Sequence, residues 1–318
     1  MLPLFITIDT EGDSLWDNPE TIKTENSLYI PRFQELCEEY RFKPIWLTDY
    51  EMAMDERYTD YICKKAKNNL CEVGIHVHAR NNPPVIELQN QVGNGGAYLI
   101  EYPSEIMRRK FLNLKNILEK KTGLPIVTHR AGRWTLNQDY LDILIDTGIK
   151  YDCSVTPGIS WYANPGMTSG SHGSDWYSDT RKRSLKSHSD KMKYIIEYPV
   201  SIIKRNSFFM PDEIRLYSIM RAIKNTITKK NIWLRPNGNN LCEMKYVLRT
   251  IAYAHEEYAM FMIHSSELMP GGSPTFNSNI KIERMYFDVE QLFKYAVSLG
   301  YHGATFEEFE IENQKIGG

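Results

Sequence analysis

Glu72-Val73-Gly74-Ile75-His76-Val77-His78 is the stretch whose reading decides the fold. Its apolar, β-branched run reads as a buried strand, and on a strand the i, i+2 spacing aims both imidazoles at one side. A second short run, Leu4-Phe5-Ile6-Thr7-Ile8, leads into Asp9-Thr10-Glu11, where the same period sets two carboxylates side by side. Two strand ends thus offer two histidines and two acids. Zinc in a catalytic site takes three protein ligands from histidine and carboxylate and keeps one position open for water, so one acid with His76 and His78 completes a set and the other acid is free to act as a base.

Outward from these runs, short apolar segments at 4–8, 44–47, 72–78, 126–129, 151–154, 194–198, 232–235 and 260–264 read as strands. Helical patterns lie between them, the clearest after Pro103-Ser104, where Ile106, Leu114, Ile117 and Leu118 form an apolar stripe that stops at Gly123. Others fall at 31–40, 137–146, 211–225, 241–257 and 288–299. Alternation of this kind marks βα units around a parallel sheet. In a βα barrel the reacting groups sit at the C-terminal strand ends. Polar residues fall there in succession: Asp9 and Glu11, His76 and His78, His129-Arg130, Asp152 and His264.

The 318 residues suffice for one barrel-sized domain or two smaller ones, with 42% apolar and 25% charged residues, ordinary values for a globular chain. A net charge of -2 gives no reason to expect a nucleic-acid partner. Residues 164–193, rich in Gly and Ser and carrying Arg181-Lys182-Arg183, Lys186, Lys191 and Lys193, read as a long loop whose charges suit a pyrophosphate, an anionic sugar or simply solvent. The expectation is one barrel over 1–318 with a loop insertion at 164–193. Five scattered cysteines without Cys-x-x-Cys spacing, an N-terminus without a signal-peptide pattern and no membrane-length apolar run suggest a reduced cytoplasm and no integral membrane segment.

Four segments together resemble the successive motifs of polysaccharide deacetylases with the NodB-homology fold: Thr7-Ile8-Asp9-Thr10-Glu11-Gly12-Asp13, Glu72 to His78, His129-Arg130-Ala131-Gly132-Arg133-Trp134, and Met262-Ile263-His264-Ser265-Ser266-Glu267-Leu268. The likeness is greatest to the branch associated with lipopolysaccharide and wall-polysaccharide biosynthesis. It implies a distorted (β/α) barrel, a divalent metal (zinc first, with cobalt, manganese or nickel as alternatives) and a carbohydrate substrate, free, nucleotide-linked or lipid-linked. It also implies removal of an N-acetyl group from an amino sugar.

Carried over residue by residue, the resemblance makes Asp9 the general base, His264 the general acid and Arg130 the cation that orients the catalytic aspartate. In better known members a second aspartate follows the first. Thr10 stands in that place here, so Glu11 takes the metal; if Asp9 is the ligand instead, Glu11 becomes the base. The usual second motif is His-x-x-x-His, and position i+4 here is Arg80. His76 therefore carries over by resemblance, and His78 by its strand chemistry. Arg133-Trp134 replaces a Pro-Tyr pair, so a wall of the substrate pocket differs, with Trp134 placed to stack on a sugar or to pack. Glu267 tunes His264 or starts a helix. His129, His172, His188, His255 and His302 receive no role. Two rivals remain: a catalytically inactive glycan-binding or assembly protein on the same fold, and a hydrolase of another N-acyl group.

Overall fold

The structure is a computed structural model describing residues 2–15, 21–92, 96–179, 184–187, 193–204 and 231–317. Its strands are β1 (Leu2–Thr10), β2 (Pro44–Thr48), β3 (Glu72–Val77), β4 (Thr128–Ala131), β5 (Tyr151–Asp152), β6 (Ser184–Ser187), β7 (Tyr194–Glu197), β8 (Ile202–Lys204), β9 (Asn231–Trp233), β10 (Ala259–His264) and β11 (Tyr301–Gly303). The helices are α1 (Ile30–Glu39), α2 (Tyr50–Met54), α3 (Glu56–Lys67), α4 (Ser104–Thr122), α5 (Gln138–Asp146), α6 (Leu241–Tyr253), α7 (Asn279–Ser298) and α8 (Phe306–Gly317).

β1 is buried along all but its first residue, as a strand covered on both faces of a parallel sheet must be. Seven parallel strands run in the order β10-β1-β2-β3-β4-β5-β7. Between β7 and β10 the wall is joined by single bonds. Leu234 N–H donates to the Ser201 carbonyl (3.0 Å), Met262 N–H donates to the Leu234 carbonyl (3.2 Å), and Met260 N–H donates to Ser201 Oγ (2.9 Å). The architecture is a distorted (β/α) barrel.

Strand period sorts the side chains into two cores. Leu4, Ile6, Ile8, Trp46, Ile75, Val77, Phe261 and Ile263 face the helices, while Phe5, Ile45, Leu47, Cys153, Tyr198, Met260 and Met262 fill the interior. Phe5 forms the floor, its ring 4.6 Å from that of Phe306 and 5.4 Å from that of Tyr198. Truncating such a ring to alanine costs about 3–5 kcal/mol. Above Phe5 on the same inward file stand Thr7 and Asp9, and on β10 Met260 and Met262 lead up to His264. The interior thus turns from apolar to polar towards the C-terminal strand ends.

The structure departs from the sequence reading in several places. The run at 232–235 is not a parallel barrel strand: β9 pairs antiparallel with β8 in a separate ribbon. Part of the expected loop at 164–193 is the strand β6, antiparallel to β7. β11 adds to the lower half of β1, where Gly303 lies so close to residues 41–43 that a Cβ would meet the Arg41 carbonyl at 2.4 Å. The expected helix at 211–225 and the run Arg181-Lys182-Arg183 fall outside the described residues. Among the described residues no helix is long and apolar enough to cross a membrane.

Candidate metal centre and its proton-handling partners

Register brings the chemistry-bearing residues together. Asp9 is the β1 partner of His264 on β10, and His76 on β3 is the partner of Arg130 on β4. Glu11 follows β1, with its N–H donating to Ser265 Oγ (3.0 Å) and its carbonyl accepting from Asn26 Nδ2 (2.8 Å), so its side chain leaves from a fixed backbone.

His76 Nε2 lies 2.9 Å, and His78 Nε2 3.0 Å, from the same Glu11 Oε1. Ligand atoms of the three lie within 4.8 Å of one another. His76 Nδ1 is 2.9 Å from the Arg130 carbonyl, which can only accept, so Nδ1 carries a proton and Nε2 of the neutral ring presents its lone pair to the carboxylate. A proton on the ring or a cation between the two atoms can bridge such a contact, and the donor set of two imidazoles and one carboxylate fits a divalent ion such as zinc. Burial pushes the Glu11 carboxyl up, but the charge of His78 and the hydrogen bonds from both rings hold it well below the usual range. Burial pulls His76 down, yet Asp9 and Glu11 together raise it.

Asp9 points inward to a different partner. Arg130 Nη1 donates to Asp9 Oδ1 at 2.5 Å, while Nε donates to the Cys153 carbonyl (3.0 Å) and Nη2 to Thr7 Oγ1 (2.9 Å). Both residues are buried, and although burial raises the Asp9 pKa, Arg130, His76 and His264 bring it below its ordinary value. The second oxygen, Oδ2, faces His264 Nε2 at 3.8 Å. Asp9, Glu11 and His264 form a second possible donor group, but Arg130 already occupies one Asp9 oxygen.

Behind His264, Arg235 Nη2 approaches Nδ1 at 2.9 Å and both Glu267 oxygens at 3.1 Å. Glu267 Oε2 also accepts from His264 N–H (2.9 Å) and lies 3.2 Å from Nδ1. Glu267 thus caps the short 3-10 turn Ser265–Leu268, as a helix-start carboxylate would, and also touches the imidazole. Burial pushes its carboxyl up, but Arg235 and His264 hold it down at about 2.

Asp9, Glu11, His76, His78, Arg235 and His264 line one cavity of about 440 Å³, a size that suits a sugar ring with its substituents. Arg133, Trp134 and Trp161 form part of its wall. Trp134 is only 8% exposed, stacked on Trp161 with rings 6° apart and 5.0 Å from the Arg130 guanidinium. Trp161 and Arg235 escaped the sequence reading. Arg235 ends the run Ile232-Trp233-Leu234-Arg235, so the strand-end rule that marked the other groups was available for it too; Trp161 sits in a loop and carries no local signal. His129, given no role, is fully buried, with Nδ1 at 2.7 Å from Asp152 Oδ1 and Nε2 accepting from Tyr140 O–H at 2.8 Å. Ser154 Oγ extends the network, donating to Asp152 Oδ1 and accepting from Ala131 N–H, and so fixes the strand that carries Arg130.

No family model and no curated protein sequence matches this chain. Solved structures similar in fold include a Mycobacterium smegmatis protein assigned to the polysaccharide deacetylases (TM-score 0.48, 13% identity, 96% of this chain and 94% of that one). They also include the CE4 domain of a multidomain xylanase from the hindgut metagenome of Trinervitermes trinervoides (0.47, 8%, 98% and 91%). A 4-alpha-glucanotransferase from Thermococcus litoralis has TM-score 0.50 at 13% identity over 97% of this chain, which spans only 38% of that protein. At such identities the likeness is one of fold, and the chemistry rests on the residues of this chain.

Proposed function

We propose that this protein is a metal-dependent hydrolase that removes an N-acetyl group from an amino sugar of a cell-surface glycan or its precursor. One observation carries the reading: two histidine nitrogens converge on one oxygen of Glu11, while Asp9, two residues earlier on the same strand, is bound to Arg130 and faces His264 across 3.8 Å. Glu11, His76 and His78 would hold the cation. A bound divalent ion supplies Lewis acidity and brings the pKa of a bound water towards about 7.

The chain's own groups divide the remaining work. Asp9, with Oδ1 held by Arg130, has Oδ2 available to take the proton of the attacking water. Arg130 fixes that carboxylate and keeps it ionised. His264 delivers a proton from Nε2 to the departing amine nitrogen, its ring held through Nδ1 by Arg235 Nη2 at 2.9 Å and Glu267 Oε2 at 3.2 Å. The Trp134–Trp161 wall gives a sugar ring an apolar edge to lie against.

The test is metal analysis of the purified protein with an acetate-release screen over N-acetylated monosaccharides, oligosaccharides and sugar nucleotides. Stoichiometric zinc and acetate release are expected. Stoichiometric metal with no acetate from any substrate would overturn the deacetylase reading in favour of another acyl group or a binding role.

A further inference from the structure

Backbone strain marks one turn at the cavity wall. Arg133 (φ 55°) and Trp134 (φ 59°) are consecutive non-glycine residues in the left-handed region, at a cost of about 1–2 kcal/mol each. The turn is held from several sides. Gly132 packs so tightly that a Cβ would meet the Val77 carbonyl at 2.4 Å, Trp176 Nε1 donates to the Trp134 carbonyl (2.8 Å), and Thr135 Oγ1 donates to that of Arg133 (3.0 Å). Strain sustained in this way is a mark of residues whose direction matters.

Its product is a fixed cation. The Arg133 guanidinium lies 3.9 Å over the Tyr98 ring and gives Nη1 to the Gly96 carbonyl. Among the described residues no carboxylate lies within ion-pair range of it, and Nε and Nη2 meet no acceptor, leaving one edge of the planar fork unused. Of the cavity's other charged groups, Asp9 pairs with Arg130, Glu11 lies against His76 and His78, and Arg235 pairs with Glu267 behind the wall; Arg80 adds a further cation to the lining. Among the described residues Arg133 is thus a wall cation with no carboxylate beside it, and a bound divalent cation would add to the positive charge there.

We propose that Arg133 anchors a negatively charged group, a carboxylate or a phosphate, carried by the amino sugar, so that the substrate is an anionic glycan or sugar phosphate. A guanidinium edge with two free N–H groups matches either oxyanion with two parallel hydrogen bonds. This substrate class rests on the deacetylase reading, but the anion site can be tested without turnover.

The test is calorimetric titration of the metal-loaded protein with N-acetylglucosamine, N-acetylmuramic acid and N-acetylglucosamine 1-phosphate, on wild type, Arg133→Gln, Arg133→Lys and Arg133→Gly. Wild type is expected to bind at least one anionic sugar about tenfold more tightly than the neutral one, with the preference shrinking at high salt. Whichever anion gains identifies the source. Arg133→Gln loses the preference and Arg133→Lys keeps only part of it. Arg133→Gly, freed of left-handed strain, loses the preference with no fall in melting temperature. Equal affinity for all three sugars in wild type, or a preference that survives in Arg133→Gln, overturns the proposal. Acetate release from neutral sugars without anion preference sinks the anion site alone, whereas anion preference without acetate release from any sugar sinks only the deacetylase.

Discussion

Asp9 and Glu11 stand two residues apart on one side of one chain segment, carry the same functional group and are both buried, yet they face different worlds. Asp9 meets a guanidinium that donates to one of its oxygens, and Glu11 meets two imidazole nitrogens on one of its own. The extra methylene of Glu11 and its place beyond the end of β1 let it reach over the barrel rim to β3. Asp9, still inside the ladder, is confined to its neighbours Arg130 and His264. A guanidinium stays charged, so it leaves a carboxylate ionised and oriented for proton transfer, whereas imidazoles can give their lone pairs to a cation. On the proposed function, neighbouring groups, more than the acids themselves, divide the site into a proton-handling half and a cation-holding half.

The sharpest way to break that division is to neutralise each acid in turn. Glu11→Gln is expected to lose the metal and at least 10⁴-fold of the rate, as judged by metal content and acetate release. Asp9→Asn should keep a full complement of metal while the rate falls about 10²–10⁴-fold, the range for loss of a general base. It should also lose about 3–5 kcal/mol of stability, because Arg130 is left buried without its counter-charge. Metal lost from Asp9→Asn and retained in Glu11→Gln would reverse the two roles.

A smaller effect tests the far side of the proton-handling half. His264→Ala is expected to retain the metal and lower kcat about 10²–10³-fold. A variant that lost metal would place His264 in the donor group that it forms geometrically with Asp9 and Glu11. Within the cation-holding half, the two histidines should differ. His76 has a side chain only 1% exposed and an Nδ1 fixed by the Arg130 carbonyl, whereas His78 is 20% exposed and follows the end of β3. Support of that kind is worth about 10–100-fold in metal affinity. His76→Ala should therefore weaken zinc binding about tenfold more than His78→Ala, and equal losses would show that the backbone carbonyl adds nothing.

That these residues meet at one end of the barrel was legible in strand periodicity, though not which acid does which work. The runs at 4–8, 72–78 and 260–264 are apolar because parallel strands are covered on both faces, and the change to Asp, Glu or His at their ends marks where the interior opens. What escaped depends on contacts remote in sequence. β9 looked like a barrel strand because apolar content says nothing about its partner, and its partner proved to be β8. Gly303 lies on a strand too short to show a pattern. Trp161 reaches the cavity from a loop held by Glu101, whose carboxylate accepts from the backbone of Met167 and Thr168, and no local rule reports such a tether. His129 looked idle because its partners Asp152 and Tyr140 lie 23 and 11 residues away.

The smallest expected effect concerns Glu267, the carboxylate of the proton-handling half that never touches Asp9 or Glu11. Its pKa is held at about 2 against an ordinary 4.5, so the group is depressed in the folded protein. A depressed carboxylate contributes stability that is fully present above its unfolded pKa and is lost as pH falls through the folded value. The contribution is about 3 kcal/mol at pH 6 and about 2 kcal/mol at pH 3.5, since by then the unfolded chain has taken up its proton. Glu267→Gln retains an oxygen to cap the turn but loses the charge that Arg235 and His264 hold, so it should be less stable than wild type at both pH values, with the gap narrower by about a third at the lower one. Chemical denaturation at the two pH values measures this. A gap that does not change with pH would mean that Glu267 works as a turn cap alone and that its charge adds nothing to the fold.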